Sequence, residues 1–290
     1  MAKVSVAATQ MSCSWDSEEN VAKAEQLVRK AAAQGAQIIL LQELFETPYF
    51  CIEISEDYLQ LASQLEQNKN FHRFAQLAKE LEVVIPFSWY EKAGQVRFNS
   101  VAIIDADGSL LGTYRKTHIP DSDGYLEKFY FSPGDTGFKV WQTRYAKIGV
   151  GICWDQWFPE SARSMALMGA ELLFFPTAIG SEPSQPELDS QPHWQRVMQG
   201  HAAANQIPVI ASNRIGTESA KNRELNINFF GSSFISDHTG AVVQQADREN
   251  ETILVHQFDL AQIDYQRAAW GLFRDRCPQH YRNLLSLDGH

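Results

Sequence analysis

Apolar and polar residues recur along this chain with two different spacings, and the switches between them predict its elements. Val4, Val6 and Ala8 alternate with smaller or polar residues, the pattern of a half-buried strand. From Ser17 the spacing becomes helical. Val21, Ala24, Val28 and Ala32 form an inward stripe, and Gly35 closes a helix over residues 17–33. The run Ile38-Ile39-Leu40-Leu41 is short and wholly apolar, which suits a strand buried on both faces. A second helix carries Phe71, Phe74, Ala75, Ala78 and Leu81 at helical spacing and leads into the strand-like Val83-Val84-Ile85.

The rhythm then changes. Residues 99–104, an Asp107-Gly108 turn and residues 110–114 read as a hairpin. Residues 148–152 form another buried-strand pattern, ending at Cys153. Pro159 opens a helix at its first turn, where the missing N–H costs little. A strand at 172–175, a helix at 192–205 and a strand at 209–212 follow, and residues 230–236, 241–245 and 252–258 read as a β-meander with a His-Thr-Gly turn. Two stretches read as surface loops: 121–136, and 180–191, where Pro183 and Pro186 stand among Ser, Glu and Asp. Strands alternate with helices and hairpins are mixed in. The pattern predicts one α/β layered domain, without repeats or a linker, rather than a barrel of matched βα units.

Composition narrows the partners. At 290 residues and 44% hydrophobic, the chain can bury a substantial core. Its formal charge of −10 repels nucleic acid and anionic membrane and favours a cationic small molecule. No apolar run approaches the ~20 residues of a membrane span, and no basic start followed by an apolar block marks a leader. Cys13, Cys51, Cys153 and Cys277 are scattered without a CxxC pair, so a reducing, cytoplasmic setting is expected. Cys13 and Cys51 read as packing residues, and Cys277 stays open. The histidines form no HExxH-like pattern, so neither a metal nor another cofactor is expected.

Candidate chemistry sits at the exits of apolar runs, where sheets meet loops. Glu43 follows 38–42, Lys116 follows 110–115, and Cys153 follows 148–152. Each has an ordinary reading, as a solvated loop carboxylate, a surface ammonium or a small core thiol. Together they supply what one reaction needs. A cysteine attacks as thiolate and so needs a neighbour to take its proton. A carboxylate within hydrogen-bond reach does that. An ammonium steadies both the thiolate and the oxyanion formed at a carbonyl carbon, and the Trp154 N–H offers a second oxyanion donor.

The stretches LLQELFETPYF around Glu43, YRKTHIPD around Lys116 and GVGICWDQWFPE around Cys153 resemble, in order, the three signature segments of the nitrilase superfamily. The resemblance runs from Val4 to about Tyr281. It implies a four-layer αββα sandwich in which Glu43 is the base, Lys116 steadies the oxyanion and Cys153 is the nucleophile. Glu127, in DGYLEKFYFSPG, matches an additional glutamate of many members, with an implied role in positioning the lysine or substrate; a salt-bridged loop carboxylate is the alternative. The segments WDQWFPESAR, PTAIGSEP, HWQRVMQGHAAANQIPVIASNRIG and FRDRCPQHY are most similar to the branch of the superfamily that acts on N-carbamoylputrescine.

That substrate has a neutral ureido group at one end and an ammonium at the other, so its pocket needs a distal carboxylate. A carbamoyl amino acid needs an arginine there instead. Glu182 is the candidate carboxylate, with a solvated loop residue as its alternative. Trp154 and Tyr49 are candidate walls for the aliphatic chain, and either fits a core position equally. A β-ureidopropionase-like or ω-amidase-like enzyme is the nearest rival, to be favoured by Arg163, Arg196 or Arg214 in the pocket. A non-catalytic protein on the same fold would need a broken trio. The resemblance also implies homo-oligomers. Residues 1–265 form the hydrolase domain, and the aromatic- and arginine-rich tail 266–290 is expected at a subunit interface.

Overall fold

The computed structural model describes residues 3–290. Strand β1 (Lys3–Gln10) leads into helix α1 (Ser17–Ala33), whose first turn is capped by the Asp16 carboxylate accepting the Glu19 amide. Strand β2 (Ile38–Leu40) follows, and then α2 (Lys69–Leu81), capped by Asn68. Strands β3 (Ile85–Ala93), β4 (Val96–Ile104) and β5 (Leu110–Arg115) make an antiparallel meander. Beyond a short helix, α3 (Glu127–Tyr130), come β6 (Val140–Gln142), β7 (Lys147–Val150), α4 (Pro159–Leu167), β8 (Leu172–Pro176), α5 (Gln191–Asn205) and β9 (Val209–Ser212). The chain ends with the hairpin β10 (Ile215–Ser219) and β11 (Asn226–Phe230), strands β12 (Phe234–Ser236), β13 (Val242–Gln245) and β14 (Thr252–Asp259), and helix α6 (Leu260–Trp270).

Two sheets face each other. One has the order β13-β12-β9-β8-β7-β6. The other is built from β14-β1-β2 and β3-β4-β5, joined where Ile38 bridges Val84 and the Ile39 amide donates to Val84 O at 2.9 Å. Between them Val6, Ala8, Ile38, Leu40, Val150 and Phe174 form the central core. The outer face of the sheet containing β1 and β2, with Ala7, Ile39 and Leu41 beyond it, packs on Val21 and Val28 of α1 and Phe74 of α2. The outer face of the six-stranded sheet, with Leu173, Phe175 and Val209, packs on Met165 of α4 and Trp194 and Met198 of α5. The architecture is the four-layer αββα sandwich expected.

Three expectations are corrected. The strand at Val4, Val6 and Ala8 is buried on both faces, not one, because α1 covers Ala7 while the six-stranded sheet covers its neighbours. The late meander is only a hairpin of β12 and β13; β14 crosses to the other sheet and pairs antiparallel with β1, from Lys3↔Asp259 to Gln10↔Thr252. Residues 121–136 are not a surface loop, since Tyr125, Glu127, Tyr130 and Phe131 are buried and the Leu126 amide donates to Cys51 O. Segment 180–191 is exposed from 184 to 189, but its two ends are buried.

Candidate active site

Glu43, Lys116 and Cys153 leave three different strands and converge at one end of the sandwich. Glu43 lies just beyond β2 and is fully buried. Its Oε1 accepts from Asn99 Nδ2 at 2.6 Å and from Lys116 Nζ at 2.8 Å. Oε2 has no protein donor among the described residues, which leaves one carboxylate oxygen able to take a proton. Lys116 also donates to Glu127 Oε2 at 2.7 Å, and Glu127 Oε1 accepts the Tyr49 hydroxyl at 2.6 Å. Lys116 is thus held between two carboxylates, with every charge removed from water.

The backbone fixes these positions. The Lys116 amide donates to Asn99 O at 2.8 Å, extending the β4–β5 ladder by one residue and placing both side chains toward Glu43. The Gly134 amide donates to Lys116 O at 2.7 Å, and a Cβ on Gly134 would lie 2.0 Å from Arg115 O, so only glycine fits.

Cys153 begins a tight turn after β7 at φ 40°, a left-handed conformation unusual for a residue with a side chain. The strained turn is held by Asp155, whose Oδ2 accepts the Ile152 amide at 2.9 Å and the Tyr114 hydroxyl at 2.7 Å. Asp155 Oδ1 meets the His118 amide at 3.0 Å and His118 Nδ1 at 2.8 Å. One buried carboxylate therefore ties the cysteine turn to the residues flanking Lys116. The Cys153 Sγ lies 3.7 Å from Ala178 O.

Electrostatics set the protonation pattern. Burial, and then the Glu43 charge, push the Cys153 thiol well above its ordinary range, and Lys116 offsets this only in part. The resting sulfur is a thiol. Burial opposes the Lys116 charge, but Glu127 and Glu43 outweigh it and hold the ammonium well above its ordinary value. Glu127 is pushed up to about 7, chiefly by burial, against the pull of Lys116. An uncharged thiol beside a carboxylate with a free oxygen and a permanent ammonium is equipped for base-assisted attack on a carbonyl carbon. Among the described residues no cluster of three or more His, Cys, Asp or Glu side chains could hold a metal ion.

The other expected site residues lie at different depths. Tyr49 is buried, its ring against Tyr125 and Phe229 and its hydroxyl on Glu127. Trp154 is 38% exposed at the rim. Glu182 is half-buried and its carboxyl is raised by burial. Tyr125 links it to the centre: its ring lies 5.7 Å from that of Tyr49, and its hydroxyl accepts the Gly180 amide and donates to the carbonyl of Ser181, the residue before Glu182. Two of the three arginines are engaged with backbone carbonyls. Arg163 donates to Ala204 O and lies over Phe273. Arg196 is exposed on α5. Arg214 is buried beneath the Glu43 loop. The sequence alone does not single out Asn99, Tyr125 or Asp155; for Asn99 the one available signal is a polar residue in a mostly apolar hairpin strand.

Known proteins resemble this chain over nearly its whole length. Residues 5–268 match the carbon-nitrogen hydrolase family. The chain is 58% identical to an N-carbamoylputrescine amidase of Oryza sativa subsp. japonica, covering 99% of this chain and 96% of that protein. It is 53% identical to a citrullinase of Francisella tularensis, covering 98% and 99%. A carbon-nitrogen hydrolase from Helicobacter pylori G27 superposes with a TM-score of 0.92 at 35% identity, covering 98% of this chain and 99% of that one. The protein belongs to the carbon-nitrogen hydrolase family, the nitrilase superfamily, and is a hydrolase of carbon–nitrogen bonds.

Proposed function

We propose that the protein hydrolyses N-carbamoylputrescine to putrescine, ammonia and carbon dioxide through a covalent intermediate on Cys153. Glu43 takes the thiol proton while sulfur attacks the ureido carbon. The developing oxyanion is met by Lys116 and the Trp154 N–H. The carbon–nitrogen bond to putrescine breaks as Glu43 returns the proton to the leaving amine, giving an S-carbamoyl enzyme. Water, deprotonated by Glu43, then attacks the same carbon; the carbon–sulfur bond breaks as Glu43 returns that proton to the Cys153 sulfur, and the released carbamic acid decomposes to ammonia and carbon dioxide. Glu127 keeps Lys116 in place.

The choice of amine is carried by one observation: the half-buried carboxylate Glu182 directly follows Ser181, whose carbonyl accepts the hydroxyl of Tyr125, and the Tyr125 ring packs on Tyr49 at the centre of the site. A distal ammonium finds a partner there. Citrulline is the second reading, favoured by the citrullinase relative. It carries the same ureido group and an ammonium, but adds a carboxylate, whereas Arg163 and Arg214 are engaged with backbone carbonyls and Arg196 is exposed on α5. Ammonia release from N-carbamoylputrescine, citrulline and N-carbamoyl-β-alanine at matched concentrations tests the assignment. N-carbamoylputrescine is expected to give the highest kcat/KM, and preference for either acid overturns it. Glu182→Gln is expected to raise KM for N-carbamoylputrescine about 10-fold or more, the loss of one partly desolvated charge pair. An unchanged KM removes Glu182 from the pocket.

The proposal includes assembly into homo-oligomers through the tail 266–290, in a reducing cytoplasmic setting. Trp270 is 71% exposed, Leu285 88%, and Tyr265 of the same helix as Trp270 75%, an apolar surface of the kind that pairs. All four cysteines are free thiols. No helix among the described residues is long and apolar enough to cross a membrane. Light scattering on the eluting full chain is expected to give a multimer that Trp270→Glu with Leu285→Glu shifts toward smaller species. A monomeric parent chain refutes the assembly.

A further inference from the structure

At the exit of β9, Ser212, Asn213 and Arg214 reach into separate loops of the site. Ser212 Oγ donates to Leu40 O at 2.9 Å, at the end of the strand that leads to Glu43. Asn213 Oδ1 accepts the Ile179 amide at 3.0 Å, and its Nδ2 donates to Ile179 O at 2.9 Å, fixing the residue after Ala178. Arg214 does most. Its guanidinium is fully buried and donates to Glu43 O at 2.7 Å, Leu44 O at 3.2 Å and Thr47 O at 3.3 Å. It pairs with Glu218 Oε1 at 2.9 Å, while Glu218 Oε2 accepts the Tyr49 amide at 2.5 Å.

We infer that Arg214, together with Glu218, is a positioning residue that clamps the backbone of residues 43–49 and so aims the Glu43 carboxylate and the Tyr49 hydroxyl. The inference rests on Glu43 being the base in the reaction proposed above. The loop has reason to need a clamp. Leu44 sits at φ 48°, a left-handed conformation for a branched side chain, so the turn after Glu43 is held against its local preference. The two ends of the loop serve one network: Glu43 accepts from Lys116, and Tyr49 donates to Glu127, the other carboxylate on that lysine. A shift of either end changes the distances around the same ammonium.

The choice of arginine follows from its shape. A planar fork with five donors can satisfy three carbonyls and a carboxylate at once, whereas an ammonium on a flexible stem cannot span them. Burying that charge is costly unless it is paired, and Glu218 supplies the pairing while holding the Tyr49 amide with its second oxygen. Neither residue touches Cys153 in the hydrogen-bond network, so their effect on the reaction passes through the loop.

Arg214→Lys keeps a cation opposite Glu218 but loses the fork. Misplacement of the base by about 1 Å predicts a fall in kcat on the order of 10²-fold with KM within about 2-fold. The rate at which iodoacetamide alkylates Cys153, measured well below the unfolding temperature, is expected to fall in step, because the thiol loses its proton acceptor. A purely structural role would lower the unfolding temperature and leave both rates intact. Glu218→Gln is measured alongside, with a smaller fall in both rates expected, and decides the matter if Arg214→Lys does not fold. Wild-type kcat and alkylation in either folded variant overturn the clamp. Glu43→Gln run in parallel separates the two readings: an active Glu43→Gln sinks the base assignment itself, whereas an inactive one beside a fully active Arg214→Lys sinks only the clamp.

Discussion

Cys153→Ala is expected to lower kcat by about 10⁴-fold or more while leaving the fold intact. Alanine retains the Cβ, so it occupies the same backbone position at φ 40° and keeps the Asp155 contacts of the turn. What it removes is the only atom able to form the covalent intermediate. Cys153→Ser is expected to be nearly as poor: an alkoxide is far harder to generate than a thiolate, and burial and the Glu43 charge already push the native thiol up. Ammonia release gives the rate. Intact-mass spectrometry of acid-quenched protein gives the mechanism, since a carbamoyl adduct is expected on the parent chain and on neither variant. Wild-type turnover by Cys153→Ala would falsify the covalent scheme.

Lys116→Met is expected to fail twice. Loss of one oxyanion donor lowers kcat by about 10²–10³-fold. Loss of the cation also leaves Glu43 and Glu127 buried together, each now without the ammonium that lay 2.8 and 2.7 Å away. Breaking a buried pair this way costs about 3–5 kcal/mol, several times the effect of an ordinary surface change. The sign of the pH dependence follows. In the native protein burial has already pushed Glu127 up to about 7, above the 4.5 of a free glutamate, so its contribution to stability is full below the unfolded value and is lost as pH rises through about 7. Without Lys116 the attraction that restrained this rise is gone. The variant is therefore expected to lose more stability at about pH 8 than at about pH 5 in urea unfolding, and Glu127→Gln in the same background is expected to restore part of it. Equal destabilisation at both pH values would show that the carboxylates had found other partners.

Where an element is defined by its own periodicity, the sequence was enough. The α1 and α2 stripes, the doubly buried β2 and the β4–β5 hairpin with its Asp-Gly turn are local patterns, and each lies where its residues place it. Partners distant in the chain were not legible. Nothing in residues 252–258 says that their neighbour is residue 3–10 rather than the adjacent hairpin, because both faces of that choice offer apolar cover. Residues 121–136 misled for a physical reason: Asp, Ser and Gly at its start mark a loop, yet its middle is pinned by a buried lysine that no local pattern records. Arg214 shows the same limit from the other side. Its charge reads as surface, and only the carbonyls of a loop about 170 residues away explain its burial.

The pairing of β1 with β14 sets a schedule for synthesis. Strand β1 has Lys3 opposite Asp259 and Gln10 opposite Thr252 and leaves the ribosome long before them, so one of its two edges stays open until β14 has been made. During that interval an apolar strand, buried on both faces in the finished protein, is available to other nascent chains. Docking of β14 is a closure of very long range, and the search for it is slow compared with forming the local hairpins. A stop codon just before β14 would therefore leave Glu43, Lys116 and Cys153 all present in the polypeptide, but would strand the sheet edge beneath them, and such truncated chains should aggregate rather than accumulate as partly active enzyme.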